Sequence, residues 1–146
     1  MLALAATLLV ASLLVSSCSA KPAEAKLVLI NDAVSEGAVC LDGTAPGYYF
    51  RPGQLHLTSS ADMFVATGTG SGVNSWIVHM EGGGVCSTEQ ECLDRSKTDL
   101  GSSKNWPPTH TGSGFLSADN NTNPGFFNWN VAYLMYCDGS SFAGYL

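Results

Sequence analysis

Three consecutive glycines, Gly82, Gly83 and Gly84, follow the apolar run 76–80 and the carboxylate Glu81, and Cys86 comes two residues later in the stretch WIVHMEGGGVC. Glycine has no Cβ, so a strand ending in three of them presents backbone N–H groups that no side chain shields. Donors of that kind, preorganised toward an oxygen that gains charge, make an oxyanion hole for acyl transfer. The same residues suit a tight turn, and Glu81 suits either organising that turn or touching a substrate. Ser141 stands in the frame Gly139-Ser-Ser-Phe-Ala143, near the G-x-S-x-G elbow of a serine nucleophile. No helix visibly opens after it, so a plain loop serine is the competing reading. A general base must reach its nucleophile through a hydrogen bond, and spacing selects neither His79 nor His110. His79 shares a strand face with Ile77 and is expected in or beside the core.

In hydrolases with a strand-turn-helix nucleophile, a loop of the HGGG type supplies one oxyanion donor; here Glu81 stands where that motif has His. Of the five cysteines, Cys18 lies in an apolar leader, leaving Cys40, Cys86, Cys92 and Cys137. An even number in an exported chain reads as two disulfides, and four cysteines allow three connectivities. Cys86 and Cys92 are close enough along the chain to close a small loop. A zinc site is not indicated, because no C-x2-C pair occurs and His56, His79 and His110 are scattered. No cofactor is called for.

The leader itself, residues 2–15, is apolar but shorter than the ~20 residues a bilayer span needs. Followed by Ser16, Ser17, Cys18, Ser19 and Ala20, it reads as a secretory signal over 1–25, cleaved after Ala20 or Ala25. A lipoprotein box ending at Cys18 is the rival reading. The remainder, residues 26–146, has the ordinary size of one domain, with no further membrane segment. Asn120 opens the N-glycosylation sequon Asn120-Asn121-Thr122 in a polar stretch. Net charge is −6 with only six Lys and Arg, which argues against nucleic-acid binding by phosphate neutralisation. The glycine-rich stretch 67–72 precedes a strand instead of following one, which excludes a dinucleotide loop.

These groups need elements to place them. Apolar runs predict strands at 26–30, 38–41, 48–50, 74–80 and 131–136, separated by turn chemistry such as Asp42-Gly43 and Arg51-Pro52-Gly53. Residues 54–66 are ambiguous. Ser87-Thr-Glu-Gln90 predicts a capping box, with Ser87 as N-cap and Gln90 at the third helical position, opening a helix over 88–96. Glu89, Glu91, Arg95 and Lys97 complement its dipole. Residues 105–130 read as long surface loops anchored by Trp106, Phe115, Phe126, Phe127 and Trp129.

Several blocks, in order, resemble the pectin acetylesterase family, whose animal relatives are the Notum carboxylesterases. They are GAVCLDGTAPGYY from Gly37, the stretch Trp76–Cys86 with Cys92, LGSSK from Leu100, and NWN followed by YCDGSSFAG from Asn128 onward. The resemblance covers nearly all of the chain after the leader and is of the plant or algal type. It implies an α/β fold, the N-terminal part of an α/β-hydrolase domain, and a serine carboxylesterase that removes acetyl groups from pectin (homogalacturonan) in the cell wall. It implies Gly83 and Gly84 as oxyanion-hole donors and the pairings Cys40–Cys137 and Cys86–Cys92. It also implies a secreted monomer whose partner is acetylated pectin. In the family the nucleophile lies in an elbow downstream of the Tyr136-Cys-Asp-Gly block, with Asp and His later, so Ser141 is not that serine. All three positions would follow Leu146, so the chain by itself is expected neither to fold stably nor to hydrolyse esters. Val85 replaces an aromatic usual in plant members. Gly84 stands where Notum enzymes carry a bulky aromatic, which favours an acetyl-sugar substrate over a fatty acyl one. The alternative reading is a secreted, non-catalytic carbohydrate-binding or pseudoenzyme module with Trp106, Trp129 and Tyr48 as sugar platforms.

Overall fold

A computed structural model describes residues 23–53 and 72–143. Most of the leader, the segment 54–66, nearly all of the glycine-rich connector 67–72 and His56 lie outside the described residues. Five strands form one mixed sheet: β1 (Ala25–Leu29), β2 (Gly47–Arg51), β3 (Trp76–Met80), β4 (Thr109–His110) and β5 (Asn130–Leu134). Their order is β3-β5-β2-β1-β4. β3 and β5 run parallel, with His79 opposite Tyr133, and the remaining pairs are antiparallel. The helix α1 (Glu89–Arg95) follows the triple glycine.

Alternation along the strands gives the sheet two faces of different fate. On one, Leu27, Tyr49, Val131, Tyr133 and His79 are covered by the segment around Trp106, His110 and Phe115. The Tyr49 hydroxyl donates to Pro107 O at 2.8 Å, and His79 and His110 lie 5.2 and 5.0 Å from the Tyr133 ring. Trp106 is only 6% exposed and packs with Cys40 and Cys137, its indole N–H donating to Asp99 O at 2.9 Å. On the other face Trp76, Val78 and Met80 are 55, 62 and 52% exposed.

Several expected elements differ. Residues 38–41 form no strand; instead Cys40 N–H and Gly43 N–H close a turn, donating to Thr44 O and Cys40 O. Asp42 is the hub of that turn. It accepts from Thr44 and Ser102, and Lys104 Nζ lies at 3.1 Å. Burial pushes its carboxyl up, but those donors outweigh burial and hold it well below the usual carboxylate range. The last strand stops at Leu134, two residues before the apolar run does: Met135 N–H still reaches Gly47 O in register, but Tyr136 N–H leaves the ladder for the Glu81 carboxylate. The capping box is shifted by one residue, to Thr88 as N-cap and Glu91 at the third position. Of the loop aromatics, Trp106 is a buried anchor, whereas Phe115 and Phe126 stay 51 and 42% exposed.

The loop 105–130 is held by amides more than by rings. Asn123 Nδ2 donates to Phe115 O and Ser117 O. Asn130 bridges three segments through Gly53 N–H, Val73 O and Ser75 O. Arg51, 2% exposed, donates from Nη1 to Phe127 O at 2.9 Å, and burial lowers its guanidinium from the ordinary value. Its Nη2 has no partner among the described residues.

Candidate active site

β3 ends because Glu81 N–H makes the last ladder-like bond, to Leu134 O at 3.0 Å, and the glycines leave the sheet. Gly82, Gly83 and Gly84 are all exposed. Among the described residues, none of their three N–H groups has a protein acceptor, which leaves them available to a ligand oxygen. Gly84 takes the left-handed backbone, φ 69°, a conformation that costs a glycine nothing.

The loop is tethered on every side. Cys86 is bonded to Cys92 in α1, with Cα atoms 5.2 Å apart, and its N–H donates to Gly139 O at 3.0 Å. Glu81 turns inward: its carboxylate accepts from Tyr136 N–H at 2.8 Å and from the Tyr133 hydroxyl at 3.2 Å. Burial, then the Glu81 charge and this hydrogen bond, push the Tyr133 phenol up to about 12. Glu81 therefore organises the loop. The second disulfide, Cys40–Cys137, has a Cα separation of 4.7 Å and anchors the chain immediately after Tyr136.

Tyr136, which spacing does not single out, is 1% exposed. Its hydroxyl donates to Gly84 O at 2.7 Å and accepts from Ser141 N–H at 3.0 Å. Arg95 Nη1 donates to the same Gly84 carbonyl at 2.7 Å. No local pattern announces these contacts; the only sequence signal is that an aromatic and a basic residue stand next to a cysteine and at a helix end. Ser141 lies on this scaffold with φ 59°, and no hydrogen bond joins its hydroxyl to a histidine among the described residues. His79 packs edge-on to Phe115, ring centroids 5.3 Å apart, and His110 packs on Tyr49. Both are ring-stacking residues here. Among the described residues, no group of three or more metal-ligating side chains gathers.

A groove of about 580 Å³ runs beside the loop, lined in part by Val85, Ser87, Arg95, Thr98 and Leu100. A more apolar cavity of about 460 Å³, lined in part by Val39, Leu41, Met135 and Phe142, lies against the Cys40–Cys137 bond and includes none of the three glycines. Asn120 is exposed in a turn closed by Thr122 N–H to Asp119 O.

The pectinacetylesterase family model matches residues 18–146. Pectin acetylesterase 7 of Arabidopsis thaliana is 44% identical over 138 residues, covering 94% of this chain and 30% of that protein. Pectin acetylesterase 11 of the same plant is 46% identical over 118 residues, 26% of its length. The chain thus spans about a third or less of these curated relatives. An inactive palmitoleoyl-protein carboxylesterase, notum1b of Danio rerio, is 33% identical over 132 residues that make up 87% of this chain and 80% of that protein. The solved Drosophila Wnt deacylase Notum superposes with a TM-score of 0.59 at 27% identity, over 80% of this chain and 29% of that one. The mixed sheet with its glycine loop is accordingly the α/β-hydrolase fold of Notum over the part the two share, and the chain belongs to the pectinacetylesterase family.

Proposed function

We propose that this chain carries the oxyanion-hole portion of a secreted carboxylesterase that removes acetyl groups from pectin. One observation carries the reading: the exposed N–H groups of Gly83 and Gly84, which meet no acceptor among the described residues, at the end of a parallel strand, in a family of pectin acetylesterases. In ester hydrolysis the carbonyl carbon becomes tetrahedral and its oxygen takes negative charge. The two amides would donate to that oxygen, stabilising the transition state more than the ground state. In this proposal the serine nucleophile, with its Asp and His, lies downstream of the Tyr136-Cys-Asp-Gly block, as the family resemblance implies. The groove beside α1 would admit the polysaccharide.

Export by the leader, use of Asn120 as a glycan site and a cell-wall location complete the proposal. β1 begins at the buried Ala25, paired with His110, so cleavage after Ala20 leaves that strand whole and cleavage after Ala25 does not. The test is acetate release from acetylated homogalacturonan by the purified gene product, together with sequencing of its transcript. Acetate release that disappears in Gly83→Pro supports the proposal; a product without a downstream elbow serine and without turnover overturns it.

A second reading, a non-catalytic secreted module, is favoured by the match to notum1b, a protein called inactive and four-fifths covered by this alignment. Trp106 is too buried to serve it as a sugar platform. Binding of acetylated pectin without turnover would decide for it.

A further inference from the structure

We propose that Tyr136 and Arg95 are positioning residues for the Gly83 and Gly84 amides, acting on one shared acceptor, the carbonyl of Gly84. Its catalytic consequence rests on the esterase reading above; its geometry does not.

Glycine samples more backbone conformations than any other residue, so a run of three is the least preorganised stretch a chain can offer. Holding a residue in one backbone well costs conformational entropy, and something outside the run must supply the restraint. Tyr136 does so at two points. Its ring lies against Gly83, where a Cβ would stand 2.7 Å from Cδ1 and 3.0 Å from Cε1. Its hydroxyl, one ring-length further on, holds Gly84 O at 2.7 Å. The base of the ring is anchored, because the Tyr136 backbone N–H is held by Glu81 and the next residue is Cys137, bonded to Cys40.

Arg95 approaches from α1. Its Nη1 donates to Gly84 O at 2.7 Å, and its guanidinium lies 5.9 Å from the Tyr136 ring centroid. A hydrogen bond from a cation is stronger than one between neutral groups, and two donors on one oxygen leave that carbonyl little freedom to turn. The peptide unit is planar, so orienting Gly84 C=O orients the plane from Gly84 Cα to Val85 Cα, which carries the Val85 N–H and fixes where Gly84 Cα sits. With Gly83 pressed on the ring, the single peptide joining Gly83 to Gly84 is stretched between two immobilised points. What remains to the Gly84 N–H is rotation of that one peptide about its own Cα–Cα axis. An acceptor for this pair of donors therefore meets a loop already held at Gly83 and at the Gly84 carbonyl, and less of it has to be ordered on binding.

Tyr136→Phe keeps the ring contact with Gly83 and removes only the hydroxyl. Arg95→Met removes the cation from a partly exposed helix position with little risk to folding. In the purified gene product both variants are expected to lower kcat for an acetyl ester about tenfold, with KM within twofold of wild type. Arg95→Lys, which keeps the charge and a donor, should recover most of that loss. A purely structural role would leave kcat unchanged at temperatures where the variants are folded, and unchanged kcat in both overturns the proposal.

Should the wild type show no ester turnover, the esterase reading fails and amide hydrogen exchange decides the positioning role. The Cys86 N–H, bonded to Gly139 O beside the clamp, is then expected to exchange about tenfold faster in Tyr136→Phe and Arg95→Met. Exchange equal to wild type in both overturns the proposal on that route as well.

Discussion

A methyl group added at Gly83 would meet the Tyr136 ring at 2.7 Å, whereas one added at Gly84 would meet nothing within 4 Å. Gly84, however, has φ 69°, where L side chains are strained. The two substitutions therefore fail for different reasons. Gly83→Ala is expected to cost ~1–3 kcal/mol by overpacking, and Gly83→Asn more. Gly84→Ala should cost ~1–2 kcal/mol through its backbone, and Gly84→Asn less, because Asn tolerates the left-handed region. Urea midpoints of the four variants check this reversal of order between Ala and Asn. Tyr133 offers a second residue-scale test. Its phenol is raised from 10.0 to about 12 by burial first, then by the Glu81 carboxylate. A raised folded value contributes stability that is whole below pH ~10 and is lost as pH climbs through the folded value. Stability should therefore fall between pH 10 and 12, and absorbance titration at 295 nm should show Glu81→Gln ionising Tyr133 at lower pH than wild type.

At the scale of elements, α1 illustrates how local chemistry can be read correctly and still placed one residue off. In Ser87-Thr-Glu-Gln-Glu91 both a Ser…Gln and a Thr…Glu capping box fit the spacing. The ionised Glu91 wins because its Oε2 accepts from both Ser87 N–H at 2.8 Å and Thr88 N–H at 3.2 Å, a charge-assisted pair that a neutral Gln cannot match. Thr88→Ala should lose ~1 kcal/mol and Ser87→Ala almost nothing, measured by thermal unfolding in far-UV circular dichroism. The two disulfides differ in the same comparative way. Cys86–Cys92 joins residues six apart and Cys40–Cys137 residues 97 apart. On chain-entropy grounds, removing the first should cost ~2 kcal/mol and the second ~4–5 kcal/mol. The Asp42 hub ties the 40–44 turn to Ser102 and Lys104. With its folded value depressed, it contributes stability present above pH ~4 and lost as pH falls further. Acid denaturation of Asp42→Asn should show that dependence weakened.

For the molecule as a whole, the decisive feature is a sheet face that is open among the described residues. Trp76, Val78 and Met80 alternate outward along β3, and Phe50 stacks on Trp76 with ring centroids 5.8 Å apart. β3 is also the last strand of the sheet order, with an unpaired backbone edge among the described residues. An exposed apolar edge strand is a template for association, so the monomer expected from the sequence requires this face to be covered. The 146-residue chain expressed by itself is expected to bind ANS and to sediment with a concentration-dependent mass. Val78→Lys should reduce both, and a clean monomer with no ANS signal would refute the expectation.

Local order alone determined the strands β1, β2, β3 and β5 to within two residues at most of their ends, the helix, and the break at the glycines, because alternation, caps and missing Cβ atoms act between neighbours. Together with several motifs in sequence, it also carried the family. The expected strand at 38–41 was lost for the opposite reason: Cys40 and Asp42 spend their polar groups on Thr44 and the distant Ser102. The working form of the glycine loop was decided by tertiary structure. Tyr136 meets Gly84 across 52 residues and Arg95 across 11, and a carbonyl shared by two such donors leaves no trace in the spacing of either. Exposed donors can be inferred from glycine; where they point depends on contacts that only the folded sheet and helix bring together.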